Sequence, residues 1–255
     1  MAEKSTGKKA TGAPETGQNR TMMILGAVAL AVLVAAGIYY LRGGFGTSGG
    51  RIADADKTDP AVSALLAPGP LPDMTMGSEN APNLIVEYAS MTCPHCAQFQ
   101  TDVFPHVKEK YIDTGKVRYV FREFPLDGLA LAASMLARCS SDKYFPMIDA
   151  LFETQKTWAV PGAEGKVKLA QVAKQAGISQ AEFDKCLADK ELFNKIVAVR
   201  TRGNEEFQVD STPSFFVNGK RLKGEHTIEV FDVALGEAPA KSQDDKSKGS
   251  TPPGQ

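Results

Sequence analysis

The sequence predicts a split α/β domain ordered β-α-β, helices, then β-β-α, so that a helical insertion interrupts a small sheet. Three observations carry that expectation. LIVEYAS at 84–90 is a continuous apolar run bounded by turn chemistry at 80–83, the pattern of a buried strand. Residues 128–207 hold apolar residues at helical spacing, as in Leu129/Leu136, Tyr144/Ile148/Leu151/Phe152, Val167/Leu169/Val172 and Leu192/Ile196/Val199. SFFV-NG-KRL at 214–222 is a hairpin, because Asn218-Gly219 suits the positive φ angles of a type I′ turn.

Taken in order, residues 1–20 are polar and rich in Gly, Thr and Lys, and read as a disordered tail. Thr21–Leu41 is an uncharged run of 21 residues, long enough as a helix to cover the ~30 Å of a bilayer's hydrocarbon core. Tyr39 and Tyr40 stand where an interfacial belt forms, so the segment reads as an uncleaved transmembrane signal anchor. A cleaved signal peptide and a buried soluble helix are the competing readings. The run exceeds a typical apolar h-region of about 7–15 residues, and no small-x-small site directly follows. Four Lys/Arg precede it, and Arg42, Arg51 and Lys57 follow, which leans slightly toward a cytoplasmic N-terminus.

Residues 42–72, with GGFGTSGG early and PGPLP late, read as a flexible tether. Residues 73–236 form one folded unit, with Met74 and Met76 on a first short strand, and 237–255 are a polar, disordered tail. From Cys93 a helix runs through Phe99, Val103 and Tyr111 toward Gly115, and Pro105 predicts a kink in it. KVRYVFREF at 116–124 is the next strand, and the insertion spans about 127–207. Within it Gly177 closes one helix, and Ser179 with Glu182 makes a capping box that opens another. Thr227–Leu235 supplies the last short helix.

Composition excludes several classes. Lys+Arg number 29 against 30 Asp+Glu, a net charge of −1, so no basic footprint supports nucleic-acid binding. A hydrophobic content of 43% is that of a globular chain rather than a multi-span transporter. Four cysteines are too few for a disulfide scaffold; their placement matters more.

A strand leading into Cys93-Pro94-His95-Cys96 at a helix start is the strongest chemical signal. Cys93 falls at the helix N-terminus, where free N–H groups and the dipole favour a thiolate. His95, between the two sulfurs, can donate a hydrogen bond or a positive charge to it, and Pro94 at an early helical position costs no hydrogen bond. Stabilising the reduced thiolate makes the disulfide a stronger oxidant. Cys93 is then the attacked and attacking sulfur, and Cys96, one turn in, the resolving one. Alternative uses of C-x-x-C fit less well. Zinc lacks a second close ligand pair unless Cys139 and Cys186 serve, c-type haem needs His where Ala97 stands, and so short a structural disulfide stabilises little. No metal or cofactor is expected.

EYASMTCPHCAQFQ, with VDSTPSFFVNGK far downstream, resembles the DsbA family of thiol–disulfide oxidoreductases, over roughly residues 73–236. The resemblance implies a thioredoxin-like fold carrying the α-helical insertion. It implies that Pro213 is cis and faces the disulfide, and that Thr212 offers backbone atoms to a substrate strand. It also matches Glu87 to the family's buried acid, which takes the proton of Cys96; a Glu on a half-exposed strand edge and a plain strand-start proline are the bland readings. Two departures stand out: Gln100 replaces an acid common in the family, and Thr212 replaces the Val of oxidases, a change also seen in isomerase-type relatives.

Cys139 and Cys186 lie on separate helices of the insertion. In an oxidising compartment they form a structural disulfide worth roughly 4 kcal/mol in the chain-entropy model; two buried free thiols or a regulatory pair are the alternatives. His106 reads as surface, His226 as a helix-start neighbour, Trp158 as packing, and Met91 with Thr92 as lining a shallow apolar groove. The expected protein is therefore an inner-membrane-anchored, periplasm-facing oxidase of a Gram-negative-type bacterium. It would pass the Cys93–Cys96 disulfide to reduced exported polypeptides and be restored by a DsbB-like membrane oxidase. A reductase or isomerase kept reduced by a DsbD-like partner, and a non-catalytic tethered binding module or chaperone, are the alternatives.

Overall fold

In a computed structural model, which describes residues 59–237, one five-stranded sheet runs β1-β3-β2-β4-β5. The strands are β1 (Met74–Met76), β2 (Asn83–Ala89), β3 (Val117–Glu123), β4 (Ser214–Val217) and β5 (Lys220–Arg221). Only β2 and β3 pair in parallel. The centre of the sheet is covered on both faces, which explains why β2 reads as a continuous apolar run rather than an alternating one. Leu84, Val86 and Tyr88 pack with Val120 and Phe216 on one side; Ile85 and Ala89 pack with Tyr119, Phe121 and Phe215 on the other. The two-residue period puts Glu87 on that second side.

The parallel crossover is one long helical segment: α2 (Pro94–Gln98), a π-helical turn at Phe99–Val103, α3 (Phe104–Val107) and a second π turn at Lys108–Ile112. Pro105 stands at the start of α3. The widened turn ahead of it, where the Phe104 N–H reaches back to Phe99 O, accommodates the missing proline donor without ending the helix. The insertion is α4 (Gly128–Cys139), α5 (Tyr144–Glu153), α6 (Gln155–Trp158), α7 (Ala163–Gln175), α8 (Gln180–Leu187) and α9 (Lys190–Phe207). Ser179 and Glu182 form the capping box of α8. On α9, Gly203 permits close approach to the sheet, since a Cβ there would lie 2.7 Å from the Tyr88 ring. Asn218 (φ 49°) and Gly219 (φ 81°) turn the hairpin, and α10 (Ile228–Ala234) closes the fold. Cys139 and Cys186, at the ends of α4 and α8, are joined in a disulfide with a Cα–Cα distance of 6.2 Å.

Three sequence expectations are corrected. Residues 60–66 are not tether but a helix, α1 (Pro60–Leu66), capped by the Asp59 carboxylate on the Ala61 N–H. Val62 and Leu65 are buried against the β2 face that carries Tyr88. The buried Arg122 guanidinium fixes the segment: it donates to Leu65 O, to both Asp73 carboxylate oxygens and to the Tyr88 hydroxyl. Val167 is 60% exposed, whereas Leu169, Val172 and Ala173 face the core. Met91 is wholly buried and lines no groove. Trp158 is packed inside, its indole N–H donating to Leu151 O. The expected tails and the Thr21–Leu41 span lie outside the described residues; among those described, no helix is long and apolar enough to cross a membrane.

The anchoring of α1 has a measurable consequence. Leu65→Ala, which empties a site 1% exposed, is expected to cost about 2–4 kcal/mol in urea unfolding. A protein starting at Asp73 that unfolds at the unaltered urea concentration would refute a structural role for α1.

Candidate active site

Strand β2 ends at Ala89, and the chain turns through Ser90–Thr92 to place Cys93 as the N-cap of α2, in extended backbone geometry (φ −78°, ψ 120°). Side chains from the insertion brace this turn. Gln155 on α6 is buried, and its Nε2 donates to Met91 O and Cys93 O, each at 2.9 Å. Thr92 donates to Asp127, which in turn caps α4. Thr92 is thus a brace, and it also forms part of the wall of the cavity on that flank of α2. Gln155 was not legible as a site residue; its only signal is a polar residue that becomes buried within a helical run.

The two sulfurs sit one turn apart in different surroundings. Cys93 is 6% exposed and Cys96 is not exposed at all; Pro94 and His95 between them face solvent. The Cys93 thiol is pulled down to about 5, first by a hydrogen bond from Cys96, then by the Thr212 side chain and the backbone N–H groups of Cys96 and His95; burial opposes the shift. Cys96 is pushed well above the ordinary thiol range, chiefly by burial. The contribution of His95 recorded in this geometry is its backbone N–H.

Thr212 and Pro213 reach the site from the start of β4, 119 residues downstream, through a cis peptide bond. As a thiol, Cys93 donates to Thr212 O at 3.2 Å. As a thiolate it cannot, and the Thr212 hydroxyl, buried with no other partner, is then the available donor. Glu87 lies beneath, wholly buried, with the Tyr119 hydroxyl donating to one carboxylate oxygen and the other oxygen unpartnered. Burial is the main cause that lifts its pKa to about 8; the Tyr119 hydrogen bond opposes this, and the charge of Cys93 adds to it. Gln100 is buried too, donating to Asp149 on α5 at 2.9 Å. His106 is exposed, while His226 precedes the N-cap of α10 and packs edge-on against Phe215 at 4.7 Å. Among the described residues no cluster of His, Cys, Asp and Glu could hold a metal ion.

A family model described as thioredoxin matches residues 71–237. A Rickettsia bellii protein named as a protein-disulfide oxidoreductase is 34% identical over 173 residues, covering 67% of this chain and 66% of that protein. A Rickettsia conorii protein of similar name is 32% identical over 200 residues, covering 77% and 71%. The crystal structure of α-DsbA1 from Wolbachia pipientis superposes with a TM-score of 0.62 at 35% identity, covering 68% of this chain and 92% of that one.

Titration of the reduced protein by thiolate absorbance should give a Cys93 midpoint near 5. Thr212→Val, which removes the hydroxyl donor and keeps the carbonyl, should raise it by about one unit; an unmoved midpoint refutes the hydroxyl's role. Glu87 tests the buried carboxyl through stability. Its folded pKa, about 8, exceeds the ordinary 4.5, so its contribution is fully present below pH 4.5 and is lost as pH rises through 8. Reduced wild type should therefore weaken across that window, relative to Glu87→Gln, by on the order of 5 kcal/mol. Parallel stability curves for the two proteins would remove the argument.

Proposed function

Since this chain belongs to the DsbA-like family of thioredoxin-fold disulfide oxidoreductases, we propose that it introduces disulfides into exported polypeptides by giving up a Cys93–Cys96 disulfide. The observation that carries this reading is the unequal treatment of the two sulfurs, Cys93 held near 5 and Cys96 held protonated. A substrate thiolate attacks Cys93 Sγ, and the Cys93–Cys96 bond breaks with its electron pair leaving on Cys96. That sulfur takes up a proton, for which neutral Glu87 is the nearby buried source. A second substrate thiolate then attacks the substrate sulfur of the mixed disulfide, forming the substrate disulfide and expelling Cys93 as its stabilised thiolate. The substrate is oxidised by two electrons and the Cys93–Cys96 pair is reduced by two.

Direction follows from the same asymmetry. A reduced form stabilised as a thiolate holds electrons readily, so the disulfide gives itself up readily. In this reading the Thr21–Leu41 segment anchors the protein in the inner membrane with the folded unit in the periplasm. A DsbB-like membrane oxidase takes the two electrons onward. Cys139–Cys186 serves as a staple between α4 and α8 and takes no part in exchange.

Cys93→Ser is expected to abolish oxidation of a model dithiol peptide. Cys96→Ser should accumulate trapped mixed disulfides visible on non-reducing gels, and retained turnover in either variant refutes the assignment. Alkylation of cellular protein should find Cys93 and Cys96 mostly oxidised; a mostly reduced pair would favour a reductase or isomerase.

A further inference from the structure

On the Pro213 side of α2 lies a cavity of ≈ 650 Å³ that borders Thr212 and Pro213 and holds two carboxylates the exchange reaction leaves unused. Phe99, Val103 and Pro213 supply apolar wall; Asp102, from the first π turn, and Glu225, from the loop before α10, supply two carboxylates. No Lys or Arg lines it, and its two imidazoles are those of His95, at the mouth beside Cys93, and His226. Among the described residues neither carboxylate is in an ion pair, and the polar contact of Asp102 is a hydroxyl hydrogen bond from Thr101. His226 does not offset them: its ring is half-buried against Phe215, and burial lowers its pKa. The cavity on the opposite flank of the helix shares Asp102 but adds Lys156 beside Glu153, so there the carboxylates have a cation among them.

We propose that this cavity is a specificity pocket that takes a lysine or arginine side chain of the substrate polypeptide, two or three residues from the cysteine that reacts with Cys93. The inference rests on the oxidoreductase reading and adds a substrate class to it. A basic side chain matches both halves of the pocket: its aliphatic stem lies along Phe99, Val103 and Pro213, and its cationic end meets Asp102 and Glu225. Acidic side chains meet like charge at Asp102 and Glu225, which acts as discrimination. Spacing follows from geometry. Asp102 lies nine residues along the helical segment from Cys93, about 14 Å at 1.5 Å per residue. An extended substrate strand covers about 7–10 Å in two to three residues, and a long basic side chain spans the rest.

The test is a set of single-cysteine peptides carrying Arg, Gln or Glu at two and three positions on either side of the cysteine, reacted with the oxidised protein. The Arg peptide is expected to form the mixed disulfide about tenfold faster than its Glu counterpart at low salt. That ratio should fall to about one in the Asp102→Asn/Glu225→Gln double variant and survive in Glu153→Gln. A ratio that persists in the double variant, or that is the same wherever the Arg is placed, overturns the pocket. Serine-for-cysteine versions of the peptides, followed by NMR shifts of the His226 ring, separate the two readings. Arg-selective shifts without any thiol exchange refute the oxidase and keep the pocket; equal shifts for Arg and Glu peptides refute the pocket.

Discussion

Antiparallel pairing of β2 with β4 is the constraint on which the site depends. The register sets Glu87 opposite Phe215 and Tyr88 opposite Ser214, so the C-terminal end of β2 and the N-terminal end of β4 finish at the same edge of the sheet. The residues that follow one strand and precede the other must then meet, and they are Cys93 and Thr212–Pro213. Loop closure over so long a separation is entropically costly, and the cost is borne by core packing on both faces of β2 rather than by any contact within the site. The active centre is thus a by-product of sheet register: a slip of one residue would turn Glu87 to the opposite face and part Cys93 from Thr212.

That register also decides how charge is divided among three acids within a small volume. Glu87, Cys96 and Cys93 all lose water, and desolvation opposes ionisation of each. Only Cys93 receives enough donors to reverse the effect: first the Cys96 thiol, then the Thr212 side chain, and last the backbone N–H groups at the open end of the helix. Once Cys93 carries the negative charge, its field helps keep Glu87 and Cys96 protonated. The partition is therefore self-reinforcing. One anion is tolerated at the surface of the site, and two protons are retained beneath it, on Glu87 and Cys96.

Legibility in the sequence followed the range of the interactions involved. C-P-H-C after a strand is local chemistry, and both the helix start and the sulfur asymmetry could be reasoned from neighbouring residues. The hairpin at Asn218-Gly219 and the capping box at Ser179 are local for the same reason. Helix α1 was not legible: seven residues with two buried side chains carry little intrinsic signal, and its order comes from Arg122, 57 residues away. Val167 was misassigned because two residues of helix turn through about 200°, so it cannot share a face with Leu169. Thr21–Leu41 remains a reading of the sequence, outside the described residues. Tyr119, Gln155 and the Asp102–Glu225 pair became visible only when the fold joined distant segments.

The insertion is part of the centre rather than an addition to it. Gln155 holds two carbonyls of the Met91–Cys93 turn, and Asp127 ties Thr92 to the first inserted helix. Directing those carbonyl dipoles toward an amide has an electrostatic effect as well as a steric one. It satisfies the negative ends of the turn with a fixed donor, and so reduces their repulsion of the Cys93 thiolate. Behind this contact the Arg138–Glu123 ion pair and the Tyr144 hydroxyl lock α4 and α5 onto the end of β3, and Cys139–Cys186 ties α4 to α8. The insertion thus fixes the turn that carries Cys93 from two sides. The five-stranded sheet brings Cys93, Cys96, Thr212 and Glu87 together, and the helices around it hold the turn on which Cys93 stands.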